Sequence, residues 1–405
     1  MTCVACAEIG RYRFYVYEGP AVDNMTSALQ LPPITQRYAP QWDHADNLAR
    51  NMFPEYTAAV WVHRALLHDP SRTLDPDEAE LFFAPAYLEI SAILPGHTER
   101  LTAWLMYIRN SRHFQRNGGR DHLFASSDVR EDHHMELHGH ARVSSLLHRG
   151  FTGTFEMRPG WTGGWPLENM IVMPYVANPF LTSRSRRTSF ATKRDVALFY
   201  VAHGREQAAI ETNCNRKIMK LLSDFRLRYH GSAALPSVVM VGWQMMSQVT
   251  YARRIARAYF CPLTCGDTAT SRRTFDAVVS GCVPIFVGTR LWGRCDFPCR
   301  GTITLSLPHT HLPFEGMWIN WSVFPRIDEG RLYAQTTRAG VHAVFRAAMM
   351  QASGRSAALQ AQLRDARDHL IYGWGDYRSS PTFGLASRRL VESAIMRLRL
   401  RRRVG

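Results

Sequence analysis

The residues with the most chemistry to offer lie between Gly266 and Val287. Gly266-Asp267-Thr268-Ala269-Thr270-Ser271 is a turn of small and hydroxylated residues, and Arg272-Arg273-Thr274-Phe275-Asp276-Ala277-Val278-Val279 reads as the helix that follows it. Thr270 or Ser271 suits the N-cap and Gly281 the C-terminal stop, after which Val283-Pro284-Ile285-Phe286-Val287 reads as a short apolar strand. A helix start leaves its first backbone N–H groups without intrahelical partners. Add hydroxyls and two guanidinium groups, and the segment is equipped to hold an anion, above all a phosphate. Asp276 lies one turn further on, where its carboxylate could hold a ribose diol or pair with Arg272 or Arg273.

Other polar groupings are less specific. Asp121 and His122 stand at a strand start after the turn Asn117-Gly118-Gly119-Arg120, and Asp128 follows in a loop. Asp75-Pro76-Asp77 has the form of a metal-binding DxD. With Glu78 and Glu80 it sits where a helical turn opens, a place that favours acids without any metal. His133, His134, His138 and His140 cluster without further ligands at a recognisable spacing, and Cys3-x-x-Cys6 has no second pair at zinc-ribbon spacing, so no metal is expected. Eight cysteines allow disulfides in an oxidising compartment, with the pairing open.

Short apolar strands alternate with helical stretches along the 405 residues, the pattern of α/β domains with parallel sheets. Tyr12–Tyr17, Leu81–Pro85, His122–Ala125, Asn169–Pro174, Val196–Val201 and Ser237–Val241 read as strands, whereas 151–165 reads as irregular. Helices are expected over 251–259, over 341–372 with a break at Gly354, and over 387–403, the last basic and amphipathic. A polar, basic stretch at 182–189 divides the pattern, giving domains at 11–185 and 190–350 and a C-terminal region of helices and basic tail at 351–405. An apolar content of 46% excludes a disordered chain. The net charge of +15 predicts attraction to polyanions. Nucleic acid is not favoured, because no aromatic RNA-binding signature accompanies the charge. No apolar run is long enough to span a bilayer, and the first ten residues do not form a signal peptide as written.

In this order the pieces resemble the exostosin family, glycosyltransferase family 47, from about Arg11 to about Gln351. The resemblance rests on Phe14-Tyr15-Val16-Tyr17, Leu74 to Pro85, Asn117 to Phe124, and Met173-Pro174-Tyr175. It rests most on Gly266-Asp267-Thr268 through Ser271 to Ala277 with Gly281-Cys282-Val283-Pro284, and ends with Leu312 to Glu315 leading into Ile319 to Ser322. It implies a GT-B architecture, two Rossmann-like domains facing across a cleft, the N-terminal one on the acceptor side and the C-terminal one binding a nucleotide sugar. It implies inverting transfer from a UDP-sugar to a polysaccharide or glycoprotein glycan, without metal or other cofactor, in the Golgi lumen, with a homo- or hetero-oligomer involving another glycosyltransferase as a further expectation. The chain departs from the family pattern at Asn320, where Asp is common, and in its arginine-rich tail; no N-terminal anchor is expected in the sequence as given, which leaves a truncated or a soluble chain open.

On this reading Gly266, Asp267, Thr268 and Ser271 cradle the diphosphate, Arg272 or Arg273 neutralises the departing UDP, and Arg205 also faces it. Asp276 holds the ribose or pairs with an arginine. The general base is sought among Asp121, His122 and Asp128, with a core histidine bonded to Asp121 as the alternative for His122. The competing function is a catalytically inactive, basic glycan- or polyanion-binding protein on the same fold.

Overall fold

The computed structural model describes residues 11–27, 57–92, 94–126, 146–155, 167–182, 193–201, 235–236, 238–242, 246–263, 272–287, 324–327, 337–372 and 385–404. Its strands are β1 (Phe14–Val16), β2 (Arg72–Thr73), β3 (Leu81–Phe83), β4 (His122–Ala125), β5 (Phe151–Thr154), β6 (Met170–Val172), β7 (Val196–Val201), β8 (Val239–Gly242), β9 (Ala258–Leu263), β10 (Val283–Val287) and β11 (Arg326–Ile327). Its α-helices are α1 (Pro20–Ser27), α2 (Ala58–Leu67), α3 (Leu88–Ala92), α4 (His97–Asn110), α5 (Arg112–Asn117), α6 (Pro179–Thr182), α7 (Gln248–Ile255), α8 (Arg272–Ser280), α9 (Arg338–Ser353), α10 (Ser356–Arg367) and α11 (Ala386–Val404).

The strands form two sheets, ordered β2-β1-β3-β4-β5-β6 and β11-β10-β9-β7-β8, and every pairing is parallel. Parallel strands are covered on both faces and so read as unbroken apolar runs. Thus β3 (LFF) and β10 (VPIFV) are buried throughout, as the α/β reading requires. Both sheets place their first strand between their second and third. The crevices between β1 and β3, and between β7 and β9, are therefore the topological switch points, where open α/β sheets bind ligands beyond the carboxyl ends of the strands.

The chain divides into two compact units, one of residues 1–176, 311–318 and 368–405, the other of 177–310 and 319–367. The division falls ahead of the basic stretch 182–189, because Asn178 and α6 pack in the second unit. Asn178 hydrogen-bonds to Asp276 and to the Gln248 carbonyl there. Residues 351–405 do not form a piece of their own. α10 belongs to the second unit and α11 to the first, where Leu390, Val391, Ala394, Ile395 and Leu398 are buried.

Two local expectations change. Residues 151–154, read as irregular, are β5, an interior strand whose Gly153 lets α11 approach. A Cβ there would lie 3.0 Å from the Leu390 side chain. The helix expected over 251–259 begins earlier, at Gln248, capped by Ser247, and gives way to β9 at Ala258, where pairing with β7 takes over. The break at Gly354 is present between α9 and α10, and the basic C-terminal helix is α11.

Cys261 of β9 and Cys282, at the entry to β10, are joined by a disulfide. The other six cysteines lie outside the described residues. The bridge spans 21 residues and so closes a loop around the whole 264–280 segment. Removing that constraint costs about 3 kcal/mol on loop-entropy grounds. A Cys261→Ala/Cys282→Ala variant should show that loss as a lower denaturation midpoint in urea, and an unchanged midpoint would refute it.

Candidate functional site

The second sheet fixes both flanks of the segment singled out in the sequence. The chain leaves β9 at Leu263 and enters α8 at Arg272, while β7, the strand across the switch point, ends at Val201. Gly266, Asp267, Thr268, Ser271 and Arg205 lie outside the described residues, as does Asp128 of the other unit. α8 ends as expected at Gly281, whose φ of 71° suits glycine. The Cys282 N–H reaches the Ala277 carbonyl (2.9 Å) and the Gly281 N–H reaches that of Val278 (3.0 Å), a Schellman closure. Behind that end, buried Arg194 donates to the carbonyls of Ala258 and of Ser280 (2.9 Å), tying the last turn of α8 to the start of β9. Burial lowers its pKa to about 10.

At the opposite end of α8 the two arginines have different settings. Arg273 reaches from the first turn of α8 to the end of β7. Its guanidinium lies over the Tyr200 ring, 5.5 Å from the centroid, and Nη1 points to the Val201 carbonyl at 3.4 Å. Its charged group therefore stands at the β7/β9 switch point. Arg272 turns instead towards Asp276, with Nε 3.5 Å from Oδ2. The Asp276 carboxylate is fully buried, and Oδ1 accepts a hydrogen bond from the Asn178 backbone N–H at 2.6 Å. Tyr251 of α7 lies beside the same carboxylate, and burial first, then this negative neighbour, raise the phenol's pKa well above its ordinary value. Of the two roles open to Asp276, the one seen here is the internal one, a buried carboxylate between an arginine, a tyrosine and a backbone amide. Tyr200, Tyr251 and Asn178 carry no local signal in the sequence, since each acts through a partner on a distant element, 98 residues away in the case of Asn178.

In the first unit Asp121 and His122 are brought together at the beginning of β4, away from the carboxyl ends of the strands. Both side chains are wholly buried. Burial pushes the Asp121 pKa up, but hydrogen bonds from His122 and Asn117 outweigh it and the net direction is down. Burial lowers that of His122, against the pull of Asp121. An ionised Asp121 beside a neutral imidazole follows, with Nδ1–H donating to Asp121 Oδ1 (2.9 Å) and Nε2 accepting from the Tyr17 hydroxyl (2.8 Å). Ser111 in turn bonds Tyr17 (2.7 Å), and His122 stacks on Phe82. This is the core-histidine arrangement weighed for His122, and it leaves neither group facing a ligand. A carboxylate that does follow a strand end is Glu89 of α3, six residues beyond β3, whose Oε1 accepts from Ser126 Oγ (2.5 Å) just after β4.

Two units with all-parallel sheets, the second with an arginine beside the end of β7, define a protein of the open α/β class. The exostosin GT47 domain model matches residues 11–331, and the chain belongs to that family. It is 26% identical over 256 residues to a probable xyloglucan galactosyltransferase of Arabidopsis thaliana, covering 57% of this chain and 52% of the relative. It is 24% identical over 296 residues to a probable glucuronoxylan glucuronosyltransferase of the same plant (68% and 56%). To a probable beta-1,4-xylosyltransferase, also from Arabidopsis thaliana, it is 25% identical over 307 residues (69% and 64%). The matched regions thus span between 52% and 64% of these relatives' lengths.

Proposed function

We propose that this chain is a glycosyltransferase that moves a sugar, with inversion and without a metal, from a UDP-sugar to a polysaccharide or glycoprotein glycan. The observation that carries this reading is the position of Arg273, whose guanidinium stands where the switch point of the second sheet would receive a diphosphate. Departure of UDP builds negative charge at that place. A preset guanidinium and the N-terminal amides of α8 stabilise it, and this reading assigns Gly266, Asp267, Thr268, Ser271 and Arg205 to the same diphosphate. The relatives' names, which speak of galactosyl, glucuronosyl and xylosyl transfer, with xyloglucan and glucuronoxylan named for two of them, support a polysaccharide acceptor. The disulfide fits an oxidising compartment such as the Golgi lumen. No helix among the described residues is long and apolar enough to cross a membrane.

Proton removal from the acceptor hydroxyl is assigned to Glu89, which follows the end of β3, or to Asp128, rather than to the buried Asp121–His122 pair. The experiment is a thermal-shift titration with UDP followed by a UDP-sugar hydrolysis and transfer screen. The reading expects UDP to raise Tm and at least one UDP-sugar to turn over. It also expects Glu89→Gln or Asp128→Asn to abolish transfer while UDP still stabilises the protein. No shift with UDP and no turnover of any UDP-sugar would remove the proposal.

A further inference from the structure

We propose that Tyr200 is a positioning residue for the donor diphosphate, acting through Arg273; the inference rests on the donor site proposed above. Tyr200 is the fifth residue of β7 and is 1% exposed, so its ring cannot swing away. Arg273 starts on a different element, α8, and reaches the end of β7. An arginine side chain has several rotatable bonds and can take many directions. The ring face under its guanidinium and the Val201 carbonyl at 3.4 Å select the one that lies over the crevice. A ligand that meets a prealigned guanidinium is spared the cost of ordering it. The planar guanidinium can rest one face on the ring and keep in-plane N–H groups for phosphate oxygens, which an ammonium could not do. What matters in this arrangement is the ring face, not the phenol hydroxyl.

The test is calorimetric titration of the full chain with UDP, uridine and inorganic pyrophosphate. Tyr200→Leu is expected to weaken UDP and pyrophosphate about five-fold and to leave uridine unchanged, because only the diphosphate meets Arg273. Tyr200→Phe is expected to match the parent. Ring-fluorinated phenylalanines at this position keep the shape but drain the ring face, so affinity should fall stepwise with fluorine content, which tests the idea even if the leucine variant does not fold. In an Arg273→Ala background Tyr200→Leu should add nothing. A phenylalanine variant as weak as leucine, a parallel loss of uridine affinity, or a leucine variant equal to the parent would each overturn the role of Tyr200. A parent chain that does not bind UDP would instead overturn the donor site, and this inference with it.

Discussion

Arg273→Ala is expected to lower UDP affinity and UDP-sugar turnover about 100-fold, the loss typical when one preset donor to a developing anion is removed. The fold should survive. The side chain is only half-buried, and the contacts it makes with Tyr200 and Val201 lie at the end of β7 rather than within the sheet. Arg273→Lys should recover part of the binding, since it restores charge but not the fork that engages two oxygens at once. Arg272→Ala makes the informative contrast. Its guanidinium faces the buried Asp276 carboxylate, so the variant should lose thermal stability before it loses UDP affinity. If Arg273→Ala binds UDP like the parent while Arg272→Ala does not, the two arginines have exchanged roles and the geometry at β7 is incidental.

The segment from α8 to β10 was legible in the sequence because its signals are local. A helix period, a glycine stop and an apolar strand follow one another within sixteen residues, and the Schellman closure at Gly281 realises that pattern. Parallel sheets were legible too, since strands buried on both faces show as unbroken apolar runs. What was not legible depends on distant partners. Phe151-Thr152-Gly153-Thr154 has no strand pattern, and its glycine makes sense only once Leu390, far along the chain, is laid against it. Asp121 and His122 looked reactive as neighbours. Which end of a strand they occupy, and that Tyr17 and Phe82 close over the imidazole, is decided by the order of the sheet. The same holds for Arg273, whose residue type announced an anion site but whose direction is set by Tyr200 and Val201.

Deleting residues 386–405 should abolish cooperative folding of the first unit rather than merely remove a basic tail. The deleted helix buries Leu390, Val391, Ala394, Ile395 and Leu398, which together contribute on the order of 10 kcal/mol of transfer free energy. That is comparable with the whole stability of a typical domain, about 5–15 kcal/mol. Its arginines are also engaged in the fold. Arg399 makes a two-pronged contact with Glu80 (2.7 and 2.9 Å), and Arg388 pairs with Asp69 (2.9 Å). Arg397 donates to the carbonyls of Met170 and Glu168, and Arg401 lies over the Phe151 ring at 4.6 Å. Only Arg402 and Arg403, both exposed, fit the picture of a solvated basic end. A heparin-binding comparison made by deleting Arg397 to Arg403 would therefore confuse unfolding with loss of charge. The cleaner pair is Arg402→Ala/Arg403→Ala beside the full deletion, followed by circular dichroism melts and limited proteolysis. The double substitution should leave Tm unchanged, while the deletion should lose the first unit's melting transition and expose its strands to protease. A deletion that melts like the parent would mean that the buried face of α11 contributes little, and would return the polyanion-binding reading to contention.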